Sequence, residues 1–306
     1  MQPLYINLLK SGDFSKRVGD AYGALRDCKL CPHNCGVDRI KNKNGICKTG
    51  KVCKVASANL HFGEEPPISG TKGSGTIFFS NCNLRCIFCQ NYPISQLGNG
   101  KEAPPNVLAN MMLNLQKQGA HNINLVTPSH VVPQFLAGLF IAAKNGLNIP
   151  IVDNCSGYDG LESLKLLDGV VDIYMPDIKY FDDKTAKKYS SADNYWEAVQ
   201  ISLKEMYRQV GPLEIDENGI GIKGMLIRHL VLPQGLASSE KLFKFIANEF
   251  SEDVPVNLMS QFFPAHKAGD DPIINRRITR EEFKKAEKAL YKYNLTKGWI
   301  QPMGDD

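Results

Sequence analysis

The stretch SNCNLRCIFCQ, residues 80–90, places Cys82, Cys86 and Cys89 in one short loop directly after an apolar run, GTIFFSN. Soft thiolates select zinc, Cu(I) or iron–sulfur clusters. A structural zinc site and a [4Fe–4S] cluster each commonly take four protein ligands, whereas this loop supplies three, and no fourth cysteine lies nearby in sequence. A cluster bound here keeps one coordination position open for an external ligand. The loop therefore predicts a reactive metal site.

Beyond residue 75 the chain alternates short apolar runs with longer amphipathic segments. The strand-like runs are GTIFFSN, INLVTP, IPIVDNC, VDIYMPDIK, MLIRHLVLP and VPVNLMSQFFP, and the helix-like segments include residues 105–118, 132–145, 239–250 and 279–293. The last of these helices begins with a capping box formed by Thr279 and Glu282. Strands that are apolar on both faces, each followed by a helix, indicate a parallel sheet of about six strands.

Two features favour a barrel over an open, doubly wound sheet. Polar and chemically reactive residues recur at the carboxyl ends of several runs, where the loops of a barrel collect them at one mouth. No glycine-rich phosphate-binding motif follows the first run, and the cysteine loop occupies that position. We therefore predict an α/β fold, a partial (β/α)6 TIM-type barrel with a C-terminal helix over residues 73–306. A cysteine-rich metal-binding module is predicted over residues 1–72.

The composition limits the classes of function. The 306 residues carry a net charge of +4, and their basic residues are scattered, so we expect no nucleic-acid partner. No apolar run approaches the roughly 18 residues that span a bilayer, and the start of the chain lacks a secretory signal pattern. We expect a cytoplasmic protein, in which nine cysteines favour metal ligation over disulfides.

The CxxxCxxC spacing, with Phe88 before the last cysteine and a strand before the loop, resembles the radical S-adenosylmethionine (SAM) superfamily. The resemblance implies that Cys82, Cys86 and Cys89 hold a [4Fe–4S] cluster whose unique iron binds SAM. It also implies reductive cleavage of SAM to a 5′-deoxyadenosyl radical, which abstracts hydrogen from a substrate. An anaerobic setting and an electron donor such as flavodoxin or ferredoxin are expected with this chemistry.

From about residue 75 to 270 the chain resembles the activating enzymes of pyruvate formate-lyase. VDNCSGY at 152–158 matches their Asp-Thr-Asn-Gly-like turn, and YMPDIK at 174–179 matches their Met-x-Asp-x-Lys pattern. Positions two apart in a strand share a face, so Asp177 and Lys179 are expected to reach the amino-acid part of SAM together. The SAM-binding residues that this resemblance implies are Asp153, Asn154, Asp177, Lys179, Arg228 and His266. Asp153, Met175 and Asp177 resemble the monovalent-cation site of these enzymes.

One segment departs from the pattern of the activating enzymes. They carry GGEP after the second strand, whereas this chain has LVTPSHVVPQ, in which Thr127 and Ser129 offer oxygens to the SAM amino group. The departure weakens the case for activation of pyruvate formate-lyase itself. TPSH at this place, together with the HFGEEPP loop and the N-terminal cysteines, resembles the PflX-type branch of the superfamily. That resemblance extends across nearly the whole chain.

A second group of cysteines precedes the barrel. CKLCPHNCG and GICKTGKVC supply Cys28, Cys31, Cys35 and Cys47 within twenty residues. Four thiolates are enough for a closed site, and zinc or a second iron–sulfur cluster both fit. No strand precedes this group and its spacing is reversed, so it does not predict a second SAM site. Cys155, alone at a strand end, is expected to be a small buried hydrophobe.

Three functions remain open at this point. The first is a radical SAM enzyme that acts on a protein glycine or another macromolecular backbone. The second keeps the radical chemistry but takes a small metabolite or a lipid as its substrate. The third is a non-catalytic iron–sulfur electron carrier or a zinc-binding scaffold, and it predicts a protein that does not depend on SAM.

Overall fold

The computed structural model describes residues 2–303, and no helix in that range is long and apolar enough to cross a bilayer. The strands are β1 Cys53–His61, β2 Ser74–Phe79, β3 Lys101–Ala103, β4 Ile123–Val126, β5 Ile151–Asn154, β6 Ile173–Tyr174, β7 Glu214–Ile215, β8 Gly221–Met225, β9 Ile227–Leu230, β10 Val256–Met259 and β11 Trp299–Ile300. The helices are α1 Tyr5–Ser11, α2 Asp13–Gly23, α3 Pro66–Ser69, α4 Tyr92–Ser95, α5 Pro105–Lys117, α6 Val132–Lys144, α7 Leu161–Leu167, α8 Asp183–Ser190, α9 Tyr195–Val210, α10 Ser239–Glu249 and α11 Arg280–Lys292.

The centre of the fold is a parallel array of strands. Parallel ladders join β2, β4, β5, β6 and β8 in that order, and a second set joins β9, β10 and β11. Only Leu226 separates β8 from β9, and a bridge between Asp177 and Arg228 continues the pairing from the β6 segment onto β9. The two sets are therefore linked, and the predicted α/β fold with a partial TIM-type barrel is confirmed.

The helices bury apolar stripes. α5 buries Leu108, Met112 and Leu115, which recur at intervals of four and three residues. α6 is buried on nearly every side, because it packs against α5, α1 and α2. α11 begins at the predicted capping box, in which the Thr279 N–H donates to the Glu282 carboxylate at 2.8 Å and the Glu282 N–H donates to the Thr279 hydroxyl at 3.2 Å.

The N-terminal region is attached to the barrel by several contacts, which include a hydrogen bond near its start and a strand pairing at its end. The Leu4 N–H donates to the carboxylate of Asp172, just before β6, at 2.8 Å. β1 pairs antiparallel with β2, so residues 53–61 extend the barrel sheet. The sequence does not predict β1, because the alternation of apolar and polar residues that is typical of a strand is incomplete. In the structure only Cys53 and Val55 of its nine residues are fully buried. The division of the chain at residue 72 stays a prediction.

Candidate functional site

A cavity of about 470 Å³ opens at the carboxyl ends of β2, β4, β5 and β9. We call residues 80–90 the cluster loop, and its three cysteines lie on the cavity wall because the loop directly follows β2. They are Cys82, Cys86 and Cys89. Residues at the strand ends and the cysteines of the cluster loop therefore line the same cavity, as the barrel interpretation predicts.

The cluster loop is fixed to the end of α8 by its own backbone. The N–H groups of Arg85 and Ile87 donate to the carbonyls of Ser190 and Tyr189, each at 2.9 Å. These two bonds flank Cys86, so the position of its sulfur follows from α8 as well as from β2.

Each sulfur of the cluster loop also has a hydrogen-bonding neighbour. Hydrogen bonds to cluster sulfurs favour the reduced, more negative state of an iron–sulfur centre. The neighbours are the Ser190 hydroxyl at 2.9 Å from Cys86, the Ser95 hydroxyl at 3.1 Å from Cys89 and the Leu84 N–H at 3.3 Å from Cys82.

The thiols fit a three-cysteine [4Fe–4S] site. Burial raises the pKa of Cys86 to about 11, so this thiolate requires a metal cation that stabilises it. Cys155 is a fourth thiol on the cavity wall. Burial raises its pKa first, and the carboxyls of Asp159 and Asp153 raise it further. Both effects favour the protonated thiol of Cys155, and a cluster on this loop with one open iron stays a prediction.

Asp177 and Lys179 form an ion pair on the same wall, with side chains that are 16% and 14% exposed. Burial opposes the charge of Asp177, but Lys179 and then Arg228 hold its pKa below the ordinary value. Burial likewise opposes the charge of Lys179, but Asp177 and then Cys86 hold its pKa above the ordinary value. Both groups are charged at neutral pH. One group of each sign suits a ligand that carries both an ammonium and a carboxylate.

Glu64 reaches this wall from the loop between β1 and α3. Its carboxylate lies 3.2 Å from the Arg228 guanidinium and accepts a hydrogen bond from the Asn124 amide at 3.1 Å. Arg228 also donates to the Asn154 side-chain oxygen at 2.5 Å. Burial raises the pKa of Glu64, and the Arg228 cation opposes that rise. The result is a buried polar network that joins the loop to strands β4, β5 and β9.

Sequence reasoning missed Glu64 because HFGEEPP has the composition of a connection. The available signal was two consecutive acids in a loop otherwise made of apolar residues, glycine and proline. The second acid also points into the barrel, where Glu65 accepts a hydrogen bond from the Asn257 amide at 2.6 Å. Both carboxylates are largely buried, and a buried carboxylate needs such partners.

Five residues that were predicted to bind SAM lie on the cavity wall. They are Thr127, Asn154, Asp177, Lys179 and Arg228. Three others do not line it, namely Asp153, Ser129 and His266. Ser129 belongs to the turn after β4 and faces a second cavity beside the N-terminal cysteines. His266 stacks on the ring of Tyr92, with ring centroids 4.9 Å apart.

The three residues of the predicted cation site have different neighbours. Asp153 lies away from the cavity wall, because the next residue of β5 faces it and neighbouring strand residues point to opposite faces. Asp153 lies against Asp159, whereas Asp177 pairs with Lys179. Met175 packs in a small apolar cluster. The monovalent-cation site stays a prediction.

The four N-terminal cysteines lie together. Cys28, Cys31, Cys35 and Cys47 line the second cavity. In the described part of the chain, no group of three or more His, Cys, Asp or Glu side chains converges closely enough to hold a single metal ion. That finding applies to these cysteines and to those of the cluster loop alike.

Known proteins that are similar to this chain share its cluster loop region. The family profile described as the radical SAM superfamily matches residues 76–211, from β2 to the end of α9. The "Uncharacterized protein MJ0674" of Methanocaldococcus jannaschii is 34% identical over 289 residues, which cover 91% of this chain and 78% of that protein. The chain belongs to the radical SAM superfamily. Members of this superfamily bind SAM and an iron–sulfur cluster.

Other known proteins are similar to this chain over different shares of its length. A pyruvate formate-lyase-activating enzyme of Clostridium pasteurianum is 25% identical over 205 residues, 64% of this chain and 74% of that protein. The structure of HydG, a maturase of the [FeFe]-hydrogenase, covers 98% of this chain and 66% of HydG at 11% identity and a TM-score of 0.50. That likeness concerns the fold alone. The chain spans about half the length (48%) of Streptococcus suis SuiB, whose structure matches 73% of this chain at 13% identity and a TM-score of 0.44.

Proposed function

We propose that this radical SAM protein cleaves SAM reductively and abstracts a hydrogen atom from a peptide backbone. The observation that carries the proposal is the shared cavity, on whose wall three cluster-loop thiols and the Asp177–Lys179 pair lie together. A [4Fe–4S] cluster bound by Cys82, Cys86 and Cys89 supplies the single electron that cleavage needs. A flavodoxin- or ferredoxin-like protein is the donor that replaces this electron.

The charged residues of the wall orient SAM. Asp177 accepts hydrogen bonds from the SAM ammonium group, and Lys179 donates to its carboxylate. Arg228 is already compensated by Glu64, so its role is to position Asn154, to whose side-chain oxygen it donates. Thr127 lies at the end of β4, with its N–H bonded to the Asn154 carbonyl at 2.8 Å, and it offers a hydroxyl to the same ligand.

The lining of the cavity mouth supports a peptide substrate. Amide side chains both donate and accept hydrogen bonds, as peptide groups do, and six of them line the cavity: Gln90, Asn91, Gln96, Asn154, Gln261 and Gln301. Two large apolar side chains that adjoin lining residues in sequence are exposed, namely Phe62 at 63% and Leu97 at 64%, and they offer apolar contacts to a bound peptide. The similar protein of Clostridium pasteurianum is named as the activator of another enzyme, which also favours a macromolecular substrate.

The proposed reaction has two steps, reductive cleavage of SAM and hydrogen transfer. One electron enters SAM and breaks its bond from sulfur to the 5′ carbon, which gives methionine and the 5′-deoxyadenosyl radical. A hydrogen atom then moves from a backbone Cα–H to the 5′ carbon. The products are 5′-deoxyadenosine and a carbon-centred radical on the peptide, with a protein glycine as the proposed position.

Release of 5′-deoxyadenosine tests the cleavage step. Anaerobically reconstituted protein, dithionite and SAM should yield 5′-deoxyadenosine, and Cys86→Ala should abolish the yield. Cys53→Ala is the matched control, since Cys53 is fully buried outside the cavity, and it should retain the yield. Release that survives Cys86→Ala contradicts the assignment of the cluster loop.

Deuterium transfer tests the substrate class. A lysate from cells grown on α-deuterated glycine is separated by dialysis into proteins and small molecules, and each fraction is added to the reaction. Deuterium in 5′-deoxyadenosine from the protein fraction supports a glycine backbone. Deuterium from the dialysable fraction alone contradicts a peptide substrate and favours a metabolite.

A further inference from the structure

The four N-terminal thiols form a second site that the SAM chemistry does not use. They line one small cavity together with Arg39, Ser129 and His130, and all four are free thiols: Cys28, Cys31, Cys35 and Cys47.

Arg39 shows what kind of occupant this site takes. Its side chain is 1% exposed, and its guanidinium donates to the Cys28 sulfur at 3.6 Å and to the carbonyls of His130 at 2.9 Å and Gly50 at 3.2 Å. None of these partners carries a formal charge, and the Arg39 Nε has no partner at all. A buried cation without a counter-charge is strongly unfavourable. Four thiolates around Zn²⁺ or around a [4Fe–4S] core leave a net negative charge, which would balance this arginine.

We propose that Cys28, Cys31, Cys35 and Cys47 bind an iron–sulfur cluster and that this centre holds the cluster loop in place. The four thiols surround one cavity without converging on a single ion, which suits a multi-iron cluster and not zinc. All four ligands come from the protein, so no position remains for SAM and the centre is structural. The proposal rests on the proposed function only in taking residues 80–90 as the loop that binds the SAM cluster. Its two claims, metal binding and fastening of the loop, are measurable without SAM cleavage.

The segment that contains these cysteines contacts the cluster loop along the first part of its length. The contacts are a bond between the His33 ring and the Asn83 carbonyl at 2.7 Å, a bond from the Asn81 amide to the Thr49 hydroxyl at 3.3 Å, and a bond from the Arg85 guanidinium to the Ile46 carbonyl. His33 lies between two of the proposed ligands in sequence, and Ile46 and Thr49 lie on either side of a third. A metal that fixes the ligands therefore also fixes these contacts.

A further contact passes through His130. Its ring bonds to the Ser80 carbonyl at 2.9 Å, at the first residue of the cluster loop, and its own carbonyl accepts from Arg39. His130 is 1% exposed, so this connection is shielded from water. Arg39 therefore touches both the Cys28 sulfur and the residue that holds the start of the cluster loop.

Residues 28–52 contain no helix or strand. A segment of this length without regular structure needs cross-links to hold its conformation, and a metal centre bound by four thiolates is such a cross-link. The backbone of this segment also packs tightly against the barrel. A Cβ on Gly160 would lie 2.6 Å from the Leu30 carbonyl oxygen, so a larger residue would clash there. Loss of the metal should loosen this segment and, with it, the cluster loop.

Metal analysis tests the first claim. The substitutions Cys82→Ala, Cys86→Ala and Cys89→Ala in the full chain remove the SAM cluster, and this parent chain should still hold about four irons. About one zinc per chain and no iron would contradict the iron–sulfur assignment. Adding Cys47→Ser to this background should remove the metal. Adding Cys53→Ser, a buried cysteine outside the group, should leave it. A metal-free parent chain with four thiols that react with a thiol reagent overturns the proposal.

Hydrogen–deuterium exchange tests the second claim in the same cluster-free background. Amides of residues 80–90 should exchange about tenfold faster after Cys47→Ser, the change expected from losing one or two ordinary hydrogen bonds. Cys53→Ser should leave their exchange unchanged. Metal loss without faster exchange in residues 80–90 overturns the fastening role, even if SAM cleavage is established separately.

Discussion

Arg228 on β9 lies 3.2 Å from Glu64, although the two residues are 164 positions apart in sequence. Their side chains are only 17% and 8% exposed. This pair joins the loop after β1 to the last part of the parallel array, beside the ion pair of Asp177 and Lys179. The polar wall of the cavity therefore depends on a loop that precedes the barrel.

Glu64→Gln should destabilise the protein strongly. Removing one partner of a buried ion pair leaves the other charge uncompensated and costs about 3 kcal/mol of unfolding free energy. Glu240→Gln is the matched control, because Glu240 pairs with Lys292 on the surface, and its effect should be too small to measure. Urea unfolding of the three proteins gives the comparison. Equal effects of the two substitutions would show that the Glu64–Arg228 pair does not stabilise the fold.

Lys179→Met should weaken SAM binding. A charge-assisted hydrogen bond contributes about 1.5–3 kcal/mol, so affinity should fall roughly 10- to 100-fold. Lys187→Met, which removes a lysine that is 61% exposed from a surface ion pair, should leave affinity unchanged. Calorimetric titration of the reconstituted protein with SAM measures both. Unchanged affinity in Lys179→Met would remove this lysine from the SAM site.

Ser190→Ala should make the cluster harder to reduce. The Ser190 hydroxyl donates to the Cys86 sulfur at 2.9 Å, and this bond favours the more negative, reduced state. If this bond stabilises the reduced cluster by about 1 kcal/mol more than the oxidised one, its loss lowers the reduction potential by roughly 40 mV for one electron. Redox titration followed by electron paramagnetic resonance measures the shift. Ser202→Ala, which alters a buried serine bonded to the Gly157 carbonyl, should leave the potential in place, and a higher potential in Ser190→Ala would contradict the expectation.

Asp172→Asn should reduce the pH dependence of stability. Burial raises the pKa of Asp172 to about 7 in the folded state, against about 3.9 in an unfolded chain. The folded state therefore binds this proton more tightly than the unfolded state does. The resulting contribution to the free energy of unfolding, up to about 4 kcal/mol, is fully present below about pH 4 and is lost as the pH rises to about 7. Asparagine does not titrate, although it cannot accept hydrogen bonds from both backbone N–H groups that donate to Asp172, those of Leu4 and Ile151.

Urea unfolding at several pH values between 4 and 8 tests the Asp172 prediction, with both chains in the background that lacks the three cluster-loop cysteines. The parent chain should lose more stability with rising pH than Asp172→Asn does. Parallel pH profiles would contradict the raised pKa.

The sequence predicts those parts of the fold that local patterns encode. Apolar runs followed by helical stripes indicate the parallel strands, and the spacing of three cysteines indicates the reactive loop. The short strand β11 has two residues, too few for any pattern. Glu64 was missed for a different reason, since its partner Arg228 becomes its neighbour only when the barrel closes. Ser129 and Asp153 show the same limit, because motif matching gives a position in the chain but not the face to which a side chain points.

The central claim is that the cluster loop leaves one iron open and that SAM binds to it. The most direct test is electron–nuclear double resonance of the reduced protein with SAM labelled by ¹⁷O in its carboxylate and ¹⁵N in its amino group. We predict hyperfine coupling of both labels to the cluster, with loss of the signal in Cys86→Ala. A fully reduced cluster whose spectrum shows no coupling to either label would contradict the account.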